Sequence, residues 1–344
     1  MKKFIIAVVV VGLMAIVGTM VYIATLSKQE IVEYDPSTVE VSTGPVEKWQ
    51  EGTISYNGKH YKFNNKIKTY LFLGIDNDNK VSKAKDGISG GQSDAIFLLV
   101  EDTEKKEFSI IAINRNTMTM VDVYDTNGDY IGQAKLQLCL QHGYGDGMKT
   151  SCNRTVETVS RLFYNLPING YMSINMGAID KMNDAIGGVE VTVLDDLKDS
   201  SRGVDLKKGE NKILNGNEAY IYLRKRDVDE FNSATYRMER QKQYLMSFFK
   251  KAVDETQRDQ TKVLSIYHSI EEYLVSNIDF ADFLSEVSEY DFSDENMYTV
   301  QGEMIMGEEF EEFYVDEDAL YDMIINLFYV EVEWFWYYLY RIFA

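Results

Sequence analysis

The stretch "AYIYLRKRDVDEFNSATYRMERQKQY", residues 219–244, holds Arg224, Arg226, Arg237 and Arg240 within seventeen positions, four of the chain's ten arginines. Guanidinium suits forked, two-point contact with phosphate or carboxylate oxygens. The chain that carries the cluster is otherwise acidic, with a formal net charge of -20 over 344 residues. Such a chain has no basic face to neutralise a phosphate backbone, which argues against nucleic-acid binding. A local basic cluster here points to one small, highly charged ligand.

The spacing refines this. Arg224 and Arg226 are two apart in a segment expected to be extended, so they face the same way and Lys225 faces the other. Asn215 and Glu218 form a capping-box pattern for a short helix just before them. Ser233 is placed to cap the next helix. In it Arg237, Arg240 and Gln241 share one face near the positive N-terminal end. Two guanidiniums from an extended stretch and two from a helix start suit a diphosphate better than a single carboxylate. The other reading is a surface salt-bridge network with Asp227, Asp229, Glu230 and Glu239, and local sequence alone weighs the two equally.

A second group lies upstream. "TYLFLGID" (69–76), "SDAIFLLVED" (93–102) and "EFSIIAINRN" (107–116) read as strands, the first an almost continuous apolar run of the kind buried on both faces. The short turn "TEKK" makes the second and third antiparallel, so Asp94 and Arg115 share one sheet edge. If the first strand runs parallel to the third, Asp76 joins them, on the rim where open α/β sheets bind ligands. Asp76 and Asp94 are hard oxygen donors, and a carboxylate pair completed by phosphate oxygens is a usual way to hold Mg²⁺ (or Mn²⁺). This breaks the tie in favour of a diphosphate site.

Other chemistries find no support. There is no Walker loop, Gly-x-Ser-x-Gly elbow or His-Glu-x-x-His helix. His60, His142 and His268 are scattered, and His142 reads as structural. The loops from Asp76 and Asp125 lack the twelfth-position Glu of a calcium loop. Cys139 and Cys152 allow at most one disulfide, not a disulfide scaffold.

Around these residues the chain divides. Residues 1–3 are a short basic start. An uncharged apolar run at 4–26 is long enough, at about 1.5 Å per residue, to cross a bilayer core of about 30 Å. Lys2 and Lys3 before it place everything after it outside the cell, and a cleaved secretory signal would export it equally. Residues 27–50 read as an extracellular tether and 51–255 as the main domain, the one that carries the candidate site. Asn57-Gly58 and Asn127-Gly128 mark hairpins, and helices are expected over 155–166 and before Gly187-Gly188. Strands alternating with helices indicate an α/β/α sandwich with a mixed central sheet. Residues 256–344 read as a smaller, acidic, largely helical α+β region, with one strand in "MYTVQGEMI", a last helix in "DEDALYDMIINLFYVEV" and an aromatic tail.

The ordered motifs "FLGID", "SDAIFLLV", "INRNT", "AKLQLCLQHGYGDG", "TVETVSRLFYNLPINGYMSINM", "DAIGGVEV" and "LNGNEAYIYLRKR…YRMERQKQ" resemble those of the LytR-CpsA-Psr family, roughly over residues 68–252. The resemblance implies a membrane-anchored extracellular phosphotransferase. It would move a glycopolymer from an undecaprenyl-diphosphate carrier onto peptidoglycan, within a three-layer α/β/α sandwich holding a long apolar tunnel for the lipid. It further implies Asp76 and Asp94 as metal ligands and Arg115, Arg224, Arg226, Arg237 and Gln241 as the diphosphate grip, with Arg240 beside them. Lys135 falls at the lysine that opens the family's next motif. One departure stands out: Asn116 occupies the place of an aspartate that the family usually has after Arg115. Because an amide cannot accept a proton, the departure implies a shifted base, a substrate-assisted route or reduced activity, and it keeps open a carrier-binding protein without turnover. A lipid-diphosphate hydrolase, with water in place of the sugar acceptor, is a further alternative.

Overall fold

The computed structural model describes residues 47–50, 53–227, 229–290 and 292–332. The expected membrane segment and the aromatic tail lie outside them. Among the described residues no helix is long and apolar enough to cross a membrane.

The strands are, in order, β1 (Glu47–Gln50), β2 (Thr53–Tyr56), β3 (Lys59–Phe63), β4 (Ile67–Ile75), β5 (Ser93–Asp102), β6 (Glu107–Ile113), β7 (Met118–Tyr124), β8 (Tyr130–Gln137), β9 (Gly170–Asn175), β10 (Val189–Thr192), β11 (Leu197–Asp199), β12 (Val204–Leu206), β13 (Asn211–Leu214), β14 (Leu274–Ser276), β15 (Met297–Thr299), β16 (Gly302–Met306), β17 (Glu311–Val315) and β18 (Tyr329–Glu331). The helices are α1 (Lys149–Leu162), α2 (Ile179–Ala185), α3 (Gly216–Arg224), α4 (Ser233–Arg258), α5 (Thr261–Ile270), α6 (Phe280–Val287) and α7 (Glu317–Phe328).

A six-stranded mixed sheet, order β14-β9-β4-β5-β6-β15, forms the centre. β4 and β6 both run antiparallel to β5, hence parallel to each other, while β9 lies parallel to β4. This is the arrangement that brings the ends of β4 and β6 to the start of β5. β5 is buried along nearly its whole length, as an apolar strand covered on both faces must be. On one face, Phe97, Leu99, Phe108 and Ile110 pack with Tyr244, Leu245, Phe248 and Phe249 of α4 and with α5 and α6. On the other, Leu71, Leu73, Leu98 and Ile111 pack with Val159 of α1 and with Leu320, Ile324 and Phe328 of α7. Alternate side chains of each strand thus feed two cores, giving three layers.

Local signals account for many boundaries. Asn57 and Gly58 both have positive φ (48° and 75°), and Tyr56 pairs with Lys59 across a two-residue turn. The Asn215–Glu218 capping box is complete on both sides and starts α3. Ser233, expected as a cap, is instead the first residue of α4. Asn232, in the left-handed region, precedes it, and the Ser233 hydroxyl accepts from Arg226 Nη1 at 3.2 Å.

Residues beyond 255 do not simply follow the sandwich. β14 and β15 complete its two sheet edges, and β18 joins a second sheet of order β1-β2-β3-β18. The strand β1 lies within the segment expected as tether. "MYTVQGEMI" gives two strands rather than one: β15 pairs parallel with β6, whereas β16 turns away to pair with β17.

Candidate functional site

At the β4/β5/β6 rim, Asp94 collects two guanidiniums. Arg237 Nη1 lies 2.9 Å from one carboxylate oxygen. Arg115 Nε lies 2.9 Å from the other, an ion pair whose N–H is not aimed along the contact. Arg115 also donates from Nη2 to Gln92 Oε1 at 2.5 Å and to Cys139 Sγ at 3.0 Å. Arg237 projects from the second turn of α4 and is buried, 3% exposed. Burial lowers its pKa, and although Asp94 opposes this, Arg115 and Arg226 press in the same direction as burial. Its Nε and Nη2 are buried and have no hydrogen-bond partner among the described residues. Buried donors left unmade are costly. Two guanidiniums on one carboxylate, with Arg226 near enough to act on Arg237, leave net positive charge, which an anion would satisfy.

That charge opens into a pocket of about 530 Å³ lined by Asp76, Asp78, Asp94, Asp199, Ser201, Arg202, Tyr220, Ile221, Arg224, Lys225, Arg226 and Arg237. Arg224, the last residue of α3, lies 3.5 Å from both Asp76 and Asp78. Desolvation lowers its pKa, but Tyr220, Asp78 and Asp76 outweigh that and hold it raised. The Tyr220 hydroxyl donates to Asp78 Oδ1 at 2.7 Å and touches Arg224 Nη1, while Arg202 stacks over the ring at 3.7 Å. The loop that carries Asp78 runs against Gly177, where a Cβ would collide with the Asp78 carbonyl oxygen.

Of the residues expected here, Asp76, Asp94, Arg224, Arg226 and Arg237 line the pocket, and Arg115 backs it through Asp94. Arg240 and Gln241 do not join them. Arg240, 3% exposed, donates Nε to Tyr222 O at 2.8 Å and Nη1 to Asp195 at 2.5 Å, and Nη2 also contacts Lys225 O. Gln241 Nε2 donates to Leu223 O at 3.0 Å. Both side chains therefore brace the end of α3 from behind. Helical spacing put them on the face of Arg237, but α4 packs so close to α3 that its next turn meets backbone carbonyls instead of the pocket. Lys225, expected to turn away, lines the pocket wall and is held by Lys198 O and, at 3.6 Å, Asp199. Lys135 is exposed and sits 4.8 Å over the Tyr314 ring.

Sequence reasoning missed Asp78, Tyr220 and Arg202. Asp78 had a readable signal, since it stands two residues after Asp76. Arg202 enters only through the β11–β12 hairpin. The expected salt-bridge alternatives also resolve: Arg224 pairs with Asp76 and Asp78, Arg237 with Asp94 and Arg240 with Asp195.

Among the described residues no three His, Cys, Asp or Glu side chains converge as a metal cage. The apolar space between sheet and α4, lined by Phe72, Phe97, Met182, Tyr244 and Leu245 among others, amounts to about 60 Å³. His142 is structural: buried, with Nδ1 3.0 Å from Gly91 O. Cys139 and Cys152 are buried free thiols.

Fold and rim together define an α/β domain with arginines and aspartates gathered at one edge of its mixed sheet. Residues 30–327 match the LytR_cpsA_psr family, and the chain belongs to it. A relative from Enterococcus faecalis, named polyisoprenyl-teichoic acid–peptidoglycan teichoic acid transferase TagU, is 31% identical over 185 residues, 53% of this chain and 53% of its own. TagV of Bacillus subtilis, named as the same kind of transferase, is 31% identical over 180 residues, 51% of this chain and 41% of its own. The chain spans about half the length of the curated relatives it matches. The crystal structure of B. subtilis TagV superposes with a TM-score of 0.58 at 23% identity, covering 77% of this chain and 96% of that one. TagT bound to LI-WTA gives a TM-score of 0.55 at 20% identity, covering 76% and 90%. These likenesses establish a shared fold.

Proposed function

We propose that this protein is a membrane-anchored extracellular phosphotransferase that moves a glycopolymer from an undecaprenyl-diphosphate carrier onto peptidoglycan. The observation that carries the reading is Arg237: a buried cation with two unmatched donors at a pocket also lined by Arg224 and Arg226. A diphosphate supplies the acceptors such a group lacks. The names of the relatives support the substrate class.

In the reaction, a sugar hydroxyl of the acceptor attacks the phosphorus bonded to the glycan. The bond from that phosphorus to the bridging oxygen breaks, and polyprenyl phosphate leaves. Asn116 carries an amide and takes no proton; a substrate-assisted route, in which the hydroxyl proton passes to the departing phosphate, balances the step without it. Phosphoryl transfer asks little covalent work of a protein and depends on positioning and charge neutralisation. Arg224 and Arg226 face the diphosphate, Arg237 stabilises charge growing on the leaving group, and Arg115 holds Asp94 in register. Asp76 and Asp94 are the residues that would hold Mg²⁺ or Mn²⁺, whose bound form neutralises phosphate oxygens. Their chemistry fits a hard ion, which commonly takes one or two carboxylates with the rest of its shell from substrate and water. For Asp94 to serve, one of its two arginines must turn to the substrate.

The test uses the full chain in detergent micelles with a short undecaprenyl-diphosphate oligosaccharide, Mg²⁺ and peptidoglycan fragments, with products read by mass spectrometry. A phosphodiester-linked adduct is expected, lost in Arg226→Ala with the fold unchanged. Free glycan phosphate would indicate a hydrolase. Bound, unchanged lipid across several donors would indicate a carrier-binding protein.

A further inference from the structure

Glu311 reaches the arginine cluster from the far end of the chain. It opens β17, and its two carboxylate oxygens go to different places. Oε2 accepts from Asn116 Nδ2 at 3.2 Å. Oε1 accepts from the backbone N–H of Asn232. Asn116 is buried, and its Oδ1 in turn accepts from Arg115 Nη1 at 3.4 Å and from Gln137 Nε2 at 3.2 Å. Asn232 is the residue from which α4, with Arg237, departs. One carboxylate therefore touches the supports of both guanidiniums that meet on Asp94. It acts on Arg115 through an amide and on Arg237 through the entry to its helix. The hairpin delivering it is itself fastened, because Phe313 N–H donates to Asn116 O at 2.9 Å and Gln137 Nε2 donates to Glu311 O at 2.7 Å.

We infer that Glu311 is a positioning residue of the diphosphate site, an inference that rests on the reading of the arginines above. Donor and acceptor chemistry makes the pair specific. A carboxylate offers two acceptor oxygens and no donor, whereas a primary amide offers one acceptor oxygen and an NH₂. Glu311→Gln therefore leaves one of the two N–H partners, Asn116 or Asn232, facing a donor. Asn116→Asp sets two carboxylates against each other, which raises the cost of ionising both. Making both changes together reverses the direction of the bond between 116 and 311 and keeps every other donor and acceptor in its role. The carboxylate at 116 then accepts from Arg115, Gln137 and the new amide, and the amide oxygen at 311 accepts from Asn232. The charge of the pair is unchanged.

The test measures affinity for geranylgeranyl diphosphate and the thermal midpoint in the full-length chain with Glu311→Gln, Asn116→Asp and the double variant. Each single variant should weaken binding by about tenfold, the worth of one hydrogen bond to a charged group. The double variant should return to within about twofold of the unsubstituted protein, the signature of coupled neighbours. If Asn116→Asp fails to fold, comparison of Glu311→Gln with the double variant still carries the test. Three results overturn the role of Glu311 alone. The thermal midpoint falls while affinity stays unchanged, as for a merely structural contact. Glu311→Gln tightens binding, as for a bare negative charge near an anion site. The double variant stays as weak as the singles. An unsubstituted chain that does not bind the probe at all overturns the proposed function, and this inference with it.

Discussion

Asp94 takes Arg115 on one carboxylate oxygen and Arg237 on the other, each at 2.9 Å. A strand end and a long helix thus meet on one buried anion. Removing that anion leaves two guanidiniums uncompensated in a low-dielectric setting. Asp94→Asn should therefore lower stability by about 3–5 kcal/mol, the range for breaking a buried pair from one side. Urea denaturation reads this directly, and a loss within experimental error would mean that the pair is solvated. A diphosphate ligand should recover part of the loss, since it replaces the missing charge in the folded state only.

Arg240 separates structural arginines from functional ones. Its three contacts hold the end of α3 in place without reaching the pocket. Arg240→Ala should destabilise by about 2–4 kcal/mol, chiefly because it leaves two carbonyls unmet, while Asp195, 35% exposed, can turn to water. By contrast, Arg226→Ala, with a single serine hydrogen bond to lose among the described residues, should cut transfer by about 10²–10³-fold, as the loss of one preorganised charge-stabilising donor does. Parallel unfolding and turnover measurements on the two variants should therefore disagree in opposite senses. An Arg240 variant of unchanged stability but lost turnover would reverse the assignment.

Tyr220 ties the exposed side of the pocket together through Asp78 and Arg224. Tyr220→Phe keeps the ring under Arg202 and deletes the hydroxyl. Diphosphate affinity measured by calorimetry should fall about fivefold, the value of one ordinary hydrogen bond. No change would mean that Arg224 is held by its two aspartates alone.

Burial pushes the thiol of Cys139 up to about 11 and that of Cys152 up to about 12, from 9.0. The folded state keeps both thiols neutral where the unfolded chain ionises them. This stabilisation is full below pH 9 and is lost as pH rises through 9 toward 11–12. The thermal midpoint should fall over that alkaline window, and less so in Cys139→Ser. Neither thiol should react with an aromatic disulfide reagent at pH 8 until denaturant is added, when both should titrate. Silence in denaturant would indicate a disulfide.

The sandwich and most of the rim were legible because they rest on short-range rules. Apolar runs between 69 and 113 specify covered strands, and the four-residue turn after β5 forces the antiparallel pair that brings Asp94 to Arg115. Asn57-Gly58 and the Asn215–Glu218 box specify their own backbones. What escaped depends on tertiary approach. Helical periodicity places Arg240 and Gln241 beside Arg237, but only the packing of α4 on α3 decides which turn faces the pocket. The role of the C-terminal residues was hidden for the same reason. β14, β15 and β18 are three residues each, too short to carry a period, and their partners lie far away in the sequence.

Those late strands set a timetable. β9 waits for β14, and β6 for β15, until about a hundred and about two hundred more residues have been made. At about 5–20 residues per second, the edge of β9 stands open for roughly 5–20 s of synthesis and that of β6 for about twice as long. An unpaired edge is an invitation to wrong partners. The nascent chain is therefore most exposed to misassembly after its arginine site has been synthesised and before its last strands arrive. Any cut that removes residues beyond 270 would make that interval permanent.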